Sequence, residues 1–398
     1  MAKVFIKPRR ARPFWFGHPW VFSGAIDRVR GQLRNGDVVE VCDEKGRVIG
    51  QGFWNEQSQI RVRITALAGE GPLDGDLMLR RLDAAVRLRQ EALDLGAATN
   101  AYRLVHAESD GLPGLVVDKV GDWLVTQIGS LGMLAFIDVL LDRLEETVRP
   151  VGILERASKI AAEEEGLARE DGVLRGSAPV GPVEVVENGV RYLCEPMTGQ
   201  KTGWFSDQRE NRRALASLAR GKDVLDAFSY VGGFGLAMAK AGAKSVLCLD
   251  SSEPAVELLR QGIALNGLDD AVVAEQGNVL RVLDHAAKEA RTYDVVVLDP
   301  PKFVRKRSGL DRGLNLYREV NLKGVRVLRA GGTLITCSCS QHVRSEHFEE
   351  MLGSVAHESG VRLQEIFRGG QAPDHPVLLP LEESRYLDCR AFRVWHPS

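Results

Sequence analysis

The sequence predicts an α/β protein whose second half is a doubly wound parallel sheet, preceded by a small β domain and a central α+β domain. Three observations carry that reading. From about residue 190, short apolar runs alternate with helical segments, and one run, Tyr293 to Leu298, is unbroken through Val295, Val296 and Val297, as strands buried on both faces are. Before residue 70, short strands follow one another with only turns between them. Between these spans a helical repeat leads into a hairpin pattern.

In the first span, Val38-Val39-Glu40-Val41, Val48 to Phe53 and Ile60-Arg61-Val62-Arg63-Ile64 are strands, the last strictly alternating, with Asn35-Gly36 and Glu44-Lys45-Gly46 as turns. Gly69-Glu70-Gly71-Pro72 breaks the pattern and closes a first domain at 1–70. Leu79, Leu82, Val86 and Leu93 share one side of the next helix, with Gly96 as its stop. Arg103 to Ala107, Leu115 to Asp118 and Trp123 to Ile128 form the hairpin pattern, and a helix over 132–147 and a strand near Val151 to Arg156 complete a second domain at 74–183. The third, at 190–398, has strands at Val224-Leu225-Asp226, Ser245 to Leu249, Ala271 to Ala274, Tyr293 to Leu298 and Thr333 to Thr336. Beyond a helix near Ser345 to Ala356 come two more, Val361 to Phe367 and Arg390 to Trp395, the last suited to antiparallel addition.

A chain of 398 residues with 44% hydrophobic and 27% charged residues has the length for two or three apolar cores and the composition of a soluble protein. Met1 to Arg12 is basic but lacks the apolar core of a signal peptide, and no stretch reaches eighteen apolar residues, so a cytoplasmic location without a membrane is expected. The cysteines at 42, 194, 248, 337, 339 and 389 contain no Cys-x-x-Cys pair, which points to reduced thiols and no metal. The oligomeric state is left open, with a homodimer among the alternatives.

A formal charge of −2 leaves polyanion contact to local patches. One is Lys3, Lys7, Arg9, Arg10 and Arg12, followed by Phe14, Trp15, Phe16 and Trp20; the other is Lys302, Arg305, Lys306 and Arg307. Isolated charge runs are ordinarily solvated faces. The second, however, directly follows Asp299-Pro300-Pro301 at the carboxyl end of a strand, where open parallel sheets bind ligands. Thr336-Cys337-Ser338-Cys339-Ser340 ends the next strand at the same edge.

The first strand of this sheet runs into Asp226-Ala227-Phe228-Ser229-Tyr230-Val231-Gly232-Gly233-Phe234-Gly235 and then a helix. Glycines there let the backbone approach a ligand. The second strand ends at Asp250, whose carboxylate can accept from two ribose hydroxyls, and the third at Gly277-Asn278, where an amide can serve an adenine edge. These features alone fit a nicotinamide dinucleotide or S-adenosylmethionine. The spacing is not G-x-G-x-x-G, and Asp226 stands where it would repel a pyrophosphate but attract a methionine ammonium, which favours S-adenosyl-L-methionine. In the bland alternative, Gly232, Gly233 and Gly235 only form a tight turn.

With these residues in place the chain resembles the RlmI/YccW-like family of bacterial 23S rRNA (cytosine-5)-methyltransferases. Gly17-His18-Pro19-Trp20-Val21-Phe22-Ser23 resembles the opening of the family's RNA-binding PUA domain, and Glu108 to Leu115 the signature of its central domain. Gln200 to Arg212 resembles the segment entering its Rossmann-like class I methyltransferase domain; from it Gln208 and Arg209 carry over as cofactor contacts. The resemblance implies 23S rRNA, or a large-subunit precursor, as partner. It departs at Asn278, where many such enzymes have Asp, and at Pro301, where the related Sun-type enzymes carry a second cysteine.

Carbon 5 of cytosine is a poor nucleophile, so a thiolate must first add at carbon 6. Cys339 is the expected nucleophile, about 6.6 Å nearer the strand's carboxyl end than Cys337, which is expected to be a packing residue. Asp299 is expected to hold ring nitrogen 3 and the exocyclic amine while also facing the cofactor. Pro300 and Pro301 would lock the turn that aims it, Lys302 and Arg305 would contact RNA phosphate, and Pro300, Phe303, Lys7 and Arg9 are further expected substrate contacts. Two alternatives stand beside this reading: a guanine or adenine nitrogen methyltransferase, which needs no thiol, and a non-catalytic RNA-binding ribosome-assembly factor.

Overall fold

The computed structural model describes residues 1–200, 202–304 and 306–395. The chain divides into two compact units, one formed by Met1–Gly181 with Glu195–Trp204 and Pro373–Ser384, the other by Pro182–Cys194, Phe205–Ala372 and Arg385 onward.

The first unit contains two sheets. β1 (Ala2–Ile6), β2 (Trp20–Phe22), β3 (Ile26–Arg30), β4 (Val38–Cys42), β5 (Val48–Trp54) and β6 (Ile60–Leu67) form one in the order β2-β6-β5-β4-β1-β3, with the short helix α1 (Arg12–Trp15) after β1. Val4, Ile6, Val39, Val41, Ile49 and Val62 fill its core. β1 pairs with both β3 and β4, so the basic N-terminal run is in part an interior strand, and Lys3 sits 2.8 Å from Glu40 as an ion pair. Gly50 and Gly52 let β5 lie close on β6; a Cβ at either would stand 2.3 Å from a carbonyl oxygen of β6, and the register shifts there as in a bulge.

The second sheet has the order β11-β10-β9-β8-β7, from β7 (Ala101–His106), β8 (Leu115–Val120), β9 (Trp123–Ile128), β10 (Gly152–Glu155) and β11 (Gly172–Gly176). Helices α2 (Gly75–Arg87), α3 (Ile137–Val148) and α4 (Lys159–Glu165) accompany it. Instead of stopping at Gly96, α2 passes directly into a π turn at Leu88–Ala92; Asp74 caps its other end through Leu77 N. Phe53 and Ala66 of the first sheet join Leu82, Leu104, Leu124 and Leu140 in one core. Arg63 of β6, close to fully buried, reaches Glu108 at 2.6 Å and Glu165 at 2.8 Å, and Trp20 Nε1 donates to Glu108 at 2.9 Å.

The second unit is the expected doubly wound sheet, with strand order β16-β15-β14-β17-β18-β20-β19. Its strands are β14 (Asp223–Ala227), β15 (Ser245–Asp250), β16 (Val272–Gln276), β17 (Tyr293–Leu298), β18 (Leu328–Ser338), β19 (Arg362–Gly369) and β20 (Asp388–Trp395). β14 to β18 run parallel, and β20 inserts antiparallel between β18 and β19. A separate hairpin, β12 (Val183–Glu187) with β13 (Val190–Cys194), precedes α5 (Arg209–Leu215). The sheet carries α6 (Gly233–Lys240), α7 (Glu253–Asn266), α8 (Val279–Lys288), α9 (Leu310–Arg326) and α10 (Ser345–Glu358). Val295 to Leu298 are all fully buried, which is why β17 carries no polar residue from Val295 onward. Strand order reverses between β14 and β17, and the crevice at their carboxyl ends is the place for a ligand. No described helix is long and apolar enough to cross a membrane.

Candidate active site

Between β14 and α6 the backbone is forced into unusual conformations: φ is 66° at Phe228, 50° at Tyr230 and 85° at Gly232. Left-handed conformations at two aromatic residues are costly and persist only where surroundings hold them. Here Ser229 N donates to Leu249 O at 3.0 Å, Tyr230 N to Asp250 Oδ2 at 2.8 Å, and Gly235 N to Asp226 Oδ2 at 2.7 Å. Gly235 also allows α6 to sit on β15, since a Cβ there would lie 2.2 Å from Cys248 Sγ and 3.0 Å from Asp226 Oδ2. At Gly232 a Cβ would lie 2.3 Å from Leu259 Cδ1.

Residues beyond the expected set brace this loop. Arg212 makes two bonds of 2.7 Å to the Glu187 carboxylate, both out of water, and a third to Phe205 O at 3.0 Å. Tyr192 OH donates to Gly233 O at 3.2 Å, and the rings of Phe205 and Tyr230 meet edge to face at 5.3 Å. Arg212 lay within a motif read from the sequence, but its partner Glu187 sits in a hairpin that carried no signal.

Burial raises the Asp226 carboxyl to about 8; the Gly235 amide opposes the rise, and the neighbouring Asp299 and Asp250 carboxylates add to it. Three acidic groups thus gather at the ends of β14, β15 and β17. Asp250 additionally accepts from Ser252 N at 2.9 Å. The Ser229 hydroxyl is buried with no hydrogen-bond partner among the described residues. Three acidic groups against the one guanidinium, Arg212, that bears on Asp226, together with an unspent hydroxyl, match a ligand with an ammonium and a sulfonium. Asn278, two residues beyond β16, caps α8 by accepting from Arg281 N at 3.1 Å, so its single side-chain oxygen already has a structural task.

In register, Ala227 is level with Leu298 and Leu298 with Thr336, so Asp299 follows at the level of Cys337. Gln208 Nε2 donates to Asp299 Oδ2 at 3.1 Å. Gln208 and Arg209 are both buried, and Arg209 Nε lies 3.1 Å from Glu210 Oε1. Cys337 is fully buried and faces Cys389 across β18 and β20, where burial drives its thiol well above the ordinary range. Cys339, just past the strand, is partly exposed, with Sγ 3.9 Å from Pro300 O. Ser340 ties the two turns together, accepting from Val304 N at 3.2 Å and sharing a 2.9 Å bond with Tyr317 OH. Burial, with the nearby Cys339 as the next cause, pushes Tyr317 up to about 12, so it is a neutral hydrogen-bonding group.

Pro300 is buried and Lys302 exposed, while Phe303 is half-buried with its ring 4.8 Å from that of Tyr317. Arg305 lies outside the described residues. Lys7 and Arg9 belong to the other unit, exposed in the turn after β1, with Lys7 Nζ donating to Gly24 O at 3.0 Å. Near them Trp15 and Phe16 are exposed under Arg47 and Arg12, each guanidinium 5.5 Å from the ring centre, whereas Phe14 is in the core.

A PUA-like domain family matches residues 4–66, and the S-adenosylmethionine-dependent methyltransferase family matches residues 171–380. Proteins named ribosomal RNA large subunit methyltransferase I are similar along nearly the whole chain. The one from Shewanella denitrificans is 38% identical over 395 residues, and the one from Erwinia tasmaniensis 35% over 394, each covering 99% of both chains. The chain belongs to the ribosomal RNA large subunit methyltransferase I family of S-adenosylmethionine-dependent methyltransferases. This chain carries both the PUA-like and the methyltransferase parts, and the cofactor is S-adenosyl-L-methionine, which the acidic, strained crevice suits. The same fold occurs in a putative S-adenosylmethionine-dependent methyltransferase from Streptococcus mutans, 19% identical, with a TM-score of 0.83 over 99% of this chain and 100% of the other. A putative methyltransferase complexed with SAH, also 19% identical, has a TM-score of 0.85 over the same shares.

Proposed function

We propose that this protein methylates carbon 5 of a cytosine in 23S rRNA through a covalent adduct with Cys339. The observation that carries the reading is the partly exposed Cys339 thiol 3.9 Å from Pro300 O, beside the Asp299 turn and across the sheet edge from the cofactor loop. A second thiol exists two residues away, but Cys337 is sealed in the sheet opposite Cys389.

S-adenosylmethionine supplies an electrophilic methyl group when bound. The Cys339 thiolate adds to carbon 6, pushing electron density to carbon 5, while Asp299 holds nitrogen 3 and the amino group so that the ring accepts a proton. Carbon 5 takes the methyl, the old methyl–sulfur bonding pair staying on sulfur as the neutral thioether, and a base then takes the carbon 5 proton, so that the Cys339 sulfur–carbon 6 bond breaks and the thiolate returns. Asp226, Phe228, Gly232, Gly233, Asp250, Asn278 and Arg209 form the cofactor side of the crevice. Pro300, Lys302 and Phe303 form the RNA side; Arg305 and, in the PUA-like part, Lys7 and Arg9 serve as RNA phosphate contacts. The division 1–70, 74–183 and 190–398 assigns one sheet to RNA binding, one to the centre and one to chemistry. The relatives' names, which specify ribosomal RNA of the large subunit, support the substrate class.

Incubating the protein with S-adenosylmethionine and large-subunit RNA, then analysing nucleosides by mass spectrometry, tests the reading. It predicts 5-methylcytidine; a nitrogen-methylated guanosine or adenosine as the only product would replace it.

A further inference from the structure

A chain of amide hydrogen bonds leads from the backbone near the end of β19 to the Asp299 carboxylate. Asn211 Nδ2 donates to Gly370 O at 3.0 Å and to Gln208 Oε1 at 2.6 Å, and Gln208 Nε2 donates to Asp299 Oδ2 at 3.1 Å. Both amides are buried. A primary amide keeps its shape when its oxygen and nitrogen exchange places, so geometry alone does not decide which end of Gln208 faces the carboxylate. Turned round, its carbonyl oxygen would oppose a second acceptor. The backbone removes that freedom. Gly370 O can only accept, so Asn211 must present its NH2 group there; its second N–H is then directed at Gln208 Oε1, and Gln208 is left with NH2 towards Asp299.

Space for this chain depends on one missing side chain. A Cβ at Gly369 would stand 2.1 Å from Asn211 Oδ1, so any larger residue there would displace the amide.

We propose that Asn211 and Gln208 are positioning residues which fix the direction of the hydrogen bond received by Asp299, so that the carboxylate meets the target base in one orientation. The proposal rests on the reading that Asp299 faces that base. Among the described residues, Asp226 from β14 and Cys337 from β18 bear on Asp299, and the Cys337 thiol, backed by Cys389 of β20, also hydrogen-bonds the Gln208 side chain. Saturating cationic cofactor holds Asp226 ionised and burial holds the Cys337 thiol neutral, so the pH dependence of the ratio to wild type reads the carboxyl introduced at position 208.

The test uses the full-length protein, large-subunit RNA and saturating S-adenosylmethionine. Gln208→Glu has the same shape but donates to Asp299 only when protonated. Its kcat relative to wild type should therefore rise by about tenfold or more as pH falls from 8.5 to 6. Asn211→Asp offers acceptors to both neighbours and should lower kcat by about tenfold or more, with KM for RNA changed by less than about threefold. Should Asn211→Asp fail to fold, Gln208→Glu decides alone. A ratio independent of pH, whatever the size of the loss, would reduce Gln208 to packing and overturn the proposal. The outcome is separable from the covalent reading, because an enzyme methylating a guanine or adenine nitrogen would still need Asp299 aimed at the base and would show the same pH-dependent ratio.

Discussion

Gly235 N donates to Asp226 Oδ2 at 2.7 Å, joining the first turn of α6 to a carboxyl group wholly removed from water. Because burial raises that carboxyl to about 8, the folded chain holds a proton there that the unfolded chain, with an ordinary aspartate near 3.9, releases. Between about pH 4 and 8 the native state therefore binds more protons, and this group's contribution makes stability fall as pH rises. Urea unfolding without cofactor should show that fall, and Asp226→Asn should flatten it. A cationic cofactor favours the ionised carboxylate, so affinity for S-adenosylmethionine should climb from about pH 6.5 to 8.5 with release of a proton on binding. Calorimetry in buffers of different ionisation enthalpy measures both; pH-independent binding without proton release would remove Asp226 from the cofactor site.

Asp250 serves the loop as well as the ligand. Its two oxygens accept from Tyr230 N and Ser252 N, so Asp250→Ala removes ligand contacts and also frees the strained segment 228–232. Charge-assisted bonds are worth roughly 1.5–3 kcal/mol each, and cofactor affinity should fall at least about tenfold while the far-ultraviolet spectrum is kept. Undiminished affinity would show that neither the ribose nor the loop depends on this carboxylate.

The sheet and the acidic residues at its carboxyl edge were readable because their signals are local. Val295 to Leu298 form an apolar run that only a doubly covered strand accommodates, and Asp226, Asp250 and Asp299 each stand at or just beyond a strand's end. Long-range pairings left no comparable trace. Glu187 and Arg212 are buried only because they meet, and Asn211 finds its acceptor in Gly370, far along the chain. β1 was hidden for another reason: Ala2–Ile6 is short and adjoins a basic run, which reads as a solvated arm although Val4 and Ile6 are fully buried. At Asn278 the helix cap left no separate trace, since a cap and an adenine contact look alike in sequence.

Arg63 neutralises two carboxylates within the first unit, with Glu108 also held by the Trp20 indole. Arg63→Ala would strand Glu108 and Glu165 in a setting nearly closed to water, a loss of about 3–5 kcal/mol for buried pairs. The thermal transition of the first unit should move down markedly, and cofactor binding, which involves none of these residues, should persist in the cold. A transition unchanged within a degree would mean that water reaches the carboxylates.

Lys7 and Arg9 are exposed, so reversing them to Glu tests RNA contact without disturbing a core. For single-stranded RNA each lost phosphate contact lowers the slope of log affinity against log salt by about 0.7, giving a change of roughly 1.4 for the pair. Filter binding across a salt series measures it. An identical slope would place the RNA elsewhere on the protein.

The covalent role of Cys339 is tested most directly with RNA containing 5-fluorocytosine, because fluorine cannot leave as a proton does and the thiol remains attached. Wild type and Cys337→Ala should each form a denaturant-resistant protein–RNA adduct in the presence of S-adenosylmethionine, and Cys339→Ala should form none. An adduct in Cys339→Ala, or full methyl transfer by that variant, would contradict the account.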